Sequence, residues 1–174
     1  MRAAVVELKA SGRGGHTIVE DVEEVRERRG GARHQLFTWG GGLHALPHNF
    51  VLAIGMDLPT LINLWHVGTT HPHVPPLKYA KARDFPRPKV RYMSGILSQM
   101  KKLMVVGVER AGRLRGFDFG MGVTSTQRAN ELFELVQDCF PKTSKGHKRG
   151  VTWKTIFNQW VKEDYQLKHI DYDE

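Results

Sequence analysis

Apolar residues recur at helical spacing in four stretches of the chain, and between them the pattern breaks at proline, glycine or runs of charge. Leu58, Leu61, Ile62 and Trp65 share one side of a 3.6-residue period, with Asp57 before them as a cap and Gly68 after them as a stop. They predict a first helix over Leu58 to Val67. Val90, Met93, Leu97, Met100 and Met104 recur at spacings of 3, 4, 3 and 4, which predicts a longer helix from Pro88 to Met104 with a methionine-lined seam against a core. Proline suits the first helical position, where its missing N–H is not needed. A third helix, capped by Thr124, Ser125 or Thr126, carries Ala129, Leu132, Phe133, Val136 and Phe140 on its stripe and stops at Pro141. Thr152 caps the last one, in which Trp153, Ile156, Phe157, Trp160 and Val161 form a broad aromatic face.

Between these helices the period changes. Val105 to Arg110 and Arg113 to Phe119 alternate and are rich in β-branched residues, so the expectation is a hairpin turning at Ala111-Gly112, with Gly116 marking a bulge. Thr69 to Pro76 holds three prolines and two histidines and is expected to be a loop, while Leu77 to Arg83 has room for one or two helical turns. Apolar mass begins abruptly at Gln35, around Gly40-Gly41-Gly42 and Leu46-Pro47. Residues 1–34 are charged, Gly-punctuated and free of aromatics. This arm has a possible strand at Ala3 to Lys9 and a possible helix over Ile18 to Arg29, and it offers too little apolar surface to order itself without docking. Its Arg-Gly-Gly triplets at Arg13 and Arg29 read as flexible linker.

With 174 residues, four Trp, eight Phe and four Tyr, the chain is suited to one folded domain, placed at 35–170. Cys139, the single cysteine, cannot form an internal disulfide and falls at an apolar helical position, which points to a buried thiol in a reducing compartment. No apolar run reaches the length of a membrane helix, and the first fifteen residues carry no signal-like stretch, so the expectation is a soluble, intracellular protein without a membrane partner. Charge sharpens the picture. Leu77 to Arg115 holds eleven Lys or Arg against two acids, a net of +9, while the whole chain is +8. A local excess of this size marks a surface that meets a polyanion, because each cation set against a phosphate releases a counterion.

A helix whose outer face is cationic and small, followed by an Arg-rich hairpin, resembles the centre of winged-helix DNA-binding domains. That resemblance implies an α+β, mainly helical fold with a winged-helix-like core at 57–120, a two-stranded wing and a C-terminal helix pair at 125–165. It also implies duplex DNA binding, with the 88–104 helix in the major groove and the wing on the neighbouring backbone. Arg91, Ser98, Gln99 and Lys102 would approach the duplex. Lys78, Lys81, Arg83, Arg87, Lys89, Arg113 and Arg115 would flank it. Gly95, on the same outer face, costs about 1 kcal/mol of helix propensity and asks for an explanation, either close approach of another surface or packing within the protein. RNA stays open, since basic helices serve both polymers. The string Trp39-Gly40-Gly41, Leu43, Leu46-Pro47, Phe50, Trp65, Gly68 and Pro75-Pro76 is similar to blocks in mobile-element-associated proteins of eukaryotic genomes. This likeness implies a DNA-targeting module, nuclear in a eukaryote, and brings no catalytic residue with it.

His66, His71 and His73 lie within eight residues, and the alternate spacing of His71 and His73 can direct two imidazoles at one metal. It resembles the paired-His motif of rolling-circle replication and mobilisation endonucleases, in which case Tyr79 or Tyr92 would be the nucleophile of a metal-dependent single-strand nuclease. Pro72 stands where those enzymes carry a bulky apolar residue on a strand, so loop histidines without a ligand are expected instead. No phosphate loop, nucleophile elbow, HExxH or CxxC pair is present, and neither catalysis nor a cofactor is expected. The remaining alternative is an interaction or assembly module in which Trp153, Phe157 and Trp160 dock a protein partner or a second copy.

Overall fold

A computed structural model describes residues 27–29, 32–34, 36–39, 42–47, 50–70, 72–85, 90–140 and 151–170 of the chain. Two short antiparallel hairpins come first: β1 (Glu27–Arg29) with β2 (Ala32–His34), and β3 (Leu36–Trp39) with β4 (Gly42–Ala45), Trp39 lying opposite Gly42. The strand expected at Ala3 to Lys9 and most of the helix expected over Ile18 to Arg29 lie outside the described residues, and the last three positions of that helix are β1 instead.

Helix α1 (Leu58–His66) starts where its cap predicts, the Thr60 N–H donating to Asp57 Oδ1 at 2.9 Å. It stops at Gly68, whose φ of +81° is costly for any residue with a Cβ. A Cβ built there would stand 2.4 Å from the Val74 carbonyl oxygen, because the chain doubles back at once into β5 (Thr69–Thr70) and β6 (His73–Val74). The expected loop over Thr69 to Pro76 is thus built around a minimal hairpin. The helical stretch expected over Leu77 to Arg83 is two separate 3₁₀ turns, Leu77–Tyr79 and Ala82–Asp84, the first packed on α1.

The centre of the fold is one continuous helix from Val90 to Leu114, made of α2 (Val90–Lys102), a π-helical segment (Leu103–Val108) and α3 (Glu109–Leu114). The expected two-stranded wing is therefore replaced by helix, and no wing is found among the described residues. Packing explains the difference. The buried stripe of Met93, Leu97, Met100 and Met104 continues through Val108 and Ala111 at the same spacing, so the helical period outlasts the β-branched run. Gly107 and Gly112, which resemble turn residues, are points of closest approach. A Cβ on Gly107 would lie 3.1 Å from the Phe140 ring and 3.2 Å from Trp160, and one on Gly112 would lie 2.7 Å from Leu132.

The helix ends in a Schellman motif, with the Phe117 N–H donating to the Gly112 carbonyl at 2.8 Å and the Gly116 N–H to Arg113 at 3.0 Å. Gly116, at φ +80°, is a helix stop and not a bulge.

Helix α4 (Thr126–Val136) is capped by Ser125 and packs across α1. Helix α5 (Trp153–Lys162) begins at its predicted cap, Thr152, beside the start of α1: Asp57 and Thr152 form an antiparallel bridge, and the Trp153 N–H donates to the Met56 carbonyl at 2.9 Å. Trp153, Phe157 and Trp160 are buried in the core. The aromatic face proposed for docking a partner is spent inside the protein. Cys139 is buried as expected, and burial pushes its thiol above the usual range. Among the described residues no helix is long and apolar enough to cross a membrane.

Candidate nucleic-acid interface

The side of the long helix away from the core is exposed, and its residues follow from the period. Arg91, Gly95, Ser98 and Lys102 are all exposed at spacings of four, three and four, on one line opposite Met93, Leu97 and Met100. Lys101 is exposed on the adjoining row. Arg91 and Lys101 make no hydrogen bond or ion pair within the described residues. Lys102 lies over the Tyr165 ring, its Nζ 3.8 Å from the centroid, which braces the side chain and leaves it exposed. Gln99 is half-buried and accepts a hydrogen bond from Lys154 of α5. That contact adds Lys154 to the flank of the ridge, a neighbour that separation of 55 positions in the chain conceals.

The other predicted cations divide. Lys78 is exposed on the first 3₁₀ turn with its Nζ 5.0 Å over the Tyr79 ring, and Lys81 is exposed at the cap of the second turn. Arg83 sits in that second turn, which packs against α2; its side chain, and Arg87 and Lys89 altogether, lie outside the described residues. Arg113 and Arg115 do not project from a wing. Arg113 is exposed near the C-terminal end of the long helix, roughly 30 Å along the axis from Arg91, with its guanidinium 3.4 Å from Glu109 and 5.2 Å from the Phe119 centroid. Arg115 is half-buried and structural. Its Nη2 donates to the His169 carbonyl at 2.9 Å and lies 3.4 Å from Asp138 Oδ2, tying the helix end to the C-terminal segment.

Gly95 separates the two explanations left open for it. A Cβ at that position would meet nothing within 4 Å, so no neighbouring element among the described residues requires glycine there. This contrasts with Gly107 on the same helix, where Phe140 and Trp160 leave no room.

The histidines present a different picture. His66 is 7% exposed at the end of α1, with its Nε2 lacking a hydrogen-bond partner among the described residues. Burial first and the nearby Lys78 charge second lower its pKa to about 4. His71 and the His73 side chain lie outside the described residues, and no group of three potential metal ligands occurs among those described. Because the folded value lies below the ordinary 6.5, folding favours neutral His66. That contribution is complete above pH 6.5, fades as pH falls, and is gone below about 4. From pH 7 to 5 the wild-type protein is expected to lose about 2 kcal/mol more stability than His66→Leu, read from urea midpoints. Parallel pH profiles for the two proteins would contradict the buried neutral imidazole.

Compared with protein-family models, with curated proteins and with solved structures, the chain finds no match.

Proposed function

We propose that the exposed side of the long helix binds nucleic acid, with Arg91, Lys101 and Lys102 set against phosphates and Ser98 facing the bases. The observation that carries this reading is Gly95: a residue that weakens the helix sits in the middle of a cationic line, with empty space where its side chain would be. Gly95 and Ser98, small residues between Arg91 and Lys102 with exposed Tyr92 at the border of the line, leave room that suits a sugar-phosphate backbone or groove. Lys78, Lys81, Lys154 and Arg113 extend the positive field around it. Arg115 is withdrawn from the contact set because its guanidinium is committed to Asp138 and His169.

The deciding experiment is equilibrium binding to duplex DNA, duplex RNA and single strands across a salt series. Three neutralised phosphates give a slope of about −2.7 in log K against log salt on duplex DNA. Binding that ignores salt, or no binding to any of the polymers, would refute the reading. Gly95 supplies an independent check. Gly95→Ala is expected to stabilise the protein by about 1 kcal/mol, since alanine improves an exposed helix and touches nothing. Gly95→Leu should remain folded and bind more weakly. If both variants bind as wild type does, close approach is not why glycine is there.

A further inference from the structure

Two valines interrupt the cationic ridge without serving the core. In the π-helical segment, Leu103, Met104, Gly107 and Val108 are buried, whereas Val105 and Val106 are 39% and 42% exposed. Valine is a poorer helix former than alanine, and this β-branched pair leaves about two fifths of its surface in solvent. The i→i+5 bonding of the segment winds the chain more slowly than an α-helix, which brings consecutive side chains nearer to one face. Val106 continues the row of Ser98 and Lys102, and Val105 continues that of Lys101, with Arg110 and Arg113 one turn and two turns further on. An apolar pair thus sits between exposed cations.

Charge suggests what such a pattern fits. Exposed Lys101 and Lys102 precede the pair and exposed Arg113 follows it on the helix, and the major groove of B-form DNA admits a helix lying along it. With the helix so placed, the cations face the phosphates of the groove edges while the apolar pair between them faces the floor. The apolar groups on that floor are the C5-methyls of thymine, which RNA lacks and which valine methyls can cover. Resting on the nucleic-acid reading above, we infer that Val105 and Val106 make this ridge a reader of pyrimidine C5-methyl groups in the major groove of duplex DNA.

The test compares the full chain on an alternating A·T duplex with the same duplex carrying deoxyuridine for thymine, at fixed salt. The phosphates are unchanged and only the methyls are lost. Affinity should fall about fourfold for each methyl covered, and a G·C duplex should gain affinity when its cytosines are 5-methylated. Val105→Ala with Val106→Ala, two exposed changes to a better helix former, should erase both preferences and keep the binding to the uracil duplex. Equal binding of thymine and uracil duplexes with a steep salt slope would overturn this inference and leave the nucleic-acid reading standing. Preference for duplex RNA would also overturn it. Failure to bind any duplex or single strand would overturn both.

Discussion

Trp160→Ala is expected to remove about 3 to 5 kcal/mol of folding stability, the range for deleting a large aromatic side chain from a closed core. Trp160 has no exposed surface and packs edge-on against Phe140, Phe157 and Tyr165, with centroids 6.0, 6.4 and 5.0 Å away. On its fourth side lies Gly107, which has no side chain to move into the vacated space. A domain of this size commonly has about 5 to 15 kcal/mol in total, so the loss is a large fraction of it. Urea denaturation followed by circular dichroism measures it. A loss under about 1 kcal/mol would mean that the contact between α5 and the π-helical segment is not a structural centre of the fold.

Reversing Arg91 and Lys102 together, as Arg91→Glu with Lys102→Glu, should lower affinity for duplex DNA at least a hundredfold at low salt and flatten the salt slope by about 2. Both side chains are exposed, so the fold should survive, with a small loss where Lys102 leaves the Tyr165 ring. Arg115→Ala is the matched contrast. It removes a guanidinium bonded to Asp138 and His169, and should cost about 1 to 3 kcal/mol of stability with the slope unchanged. If the double reversal leaves binding intact, the ridge is not the contact surface.

Much of this architecture was legible from local rules. The starts of α1, α4 and α5 follow from Asp57, Ser125 and Thr152, whose side chains accept hydrogen bonds from the N–H groups three residues on. The first half of the long helix followed from its methionine seam. Its second half, expected as a hairpin, carries local signals against helix: Val105, Val106 and Val108 favour strands, and Ala111-Gly112 resembles a turn. Tertiary packing overrides them. Phe140, Trp160 and Leu132 press on the helix where a side chain would obstruct them, and no local rule announces that approach. The unbroken stripe through Val108 and Ala111, and Gly116 as a stop, were the available clues. The exposed face of the candidate site was legible on α2, where exposure follows from period alone. It was not legible at Arg115 or Gln99, whose partners Asp138, His169 and Lys154 are brought close only by the fold.

The pairing of the two helix starts has a temporal consequence. The indole N–H of Trp153 donates to the Ala53 carbonyl at 3.0 Å, and the Trp153 backbone to Met56, across about a hundred residues. At the roughly 5 to 20 residues per second of ribosomal synthesis, the 53–56 segment waits about 5 to 20 s for that partner. Gly107 and Phe140, made later within that interval, in turn lack Trp160, which lies against both, until α5 follows. Domain closure waits for the synthesis of α5.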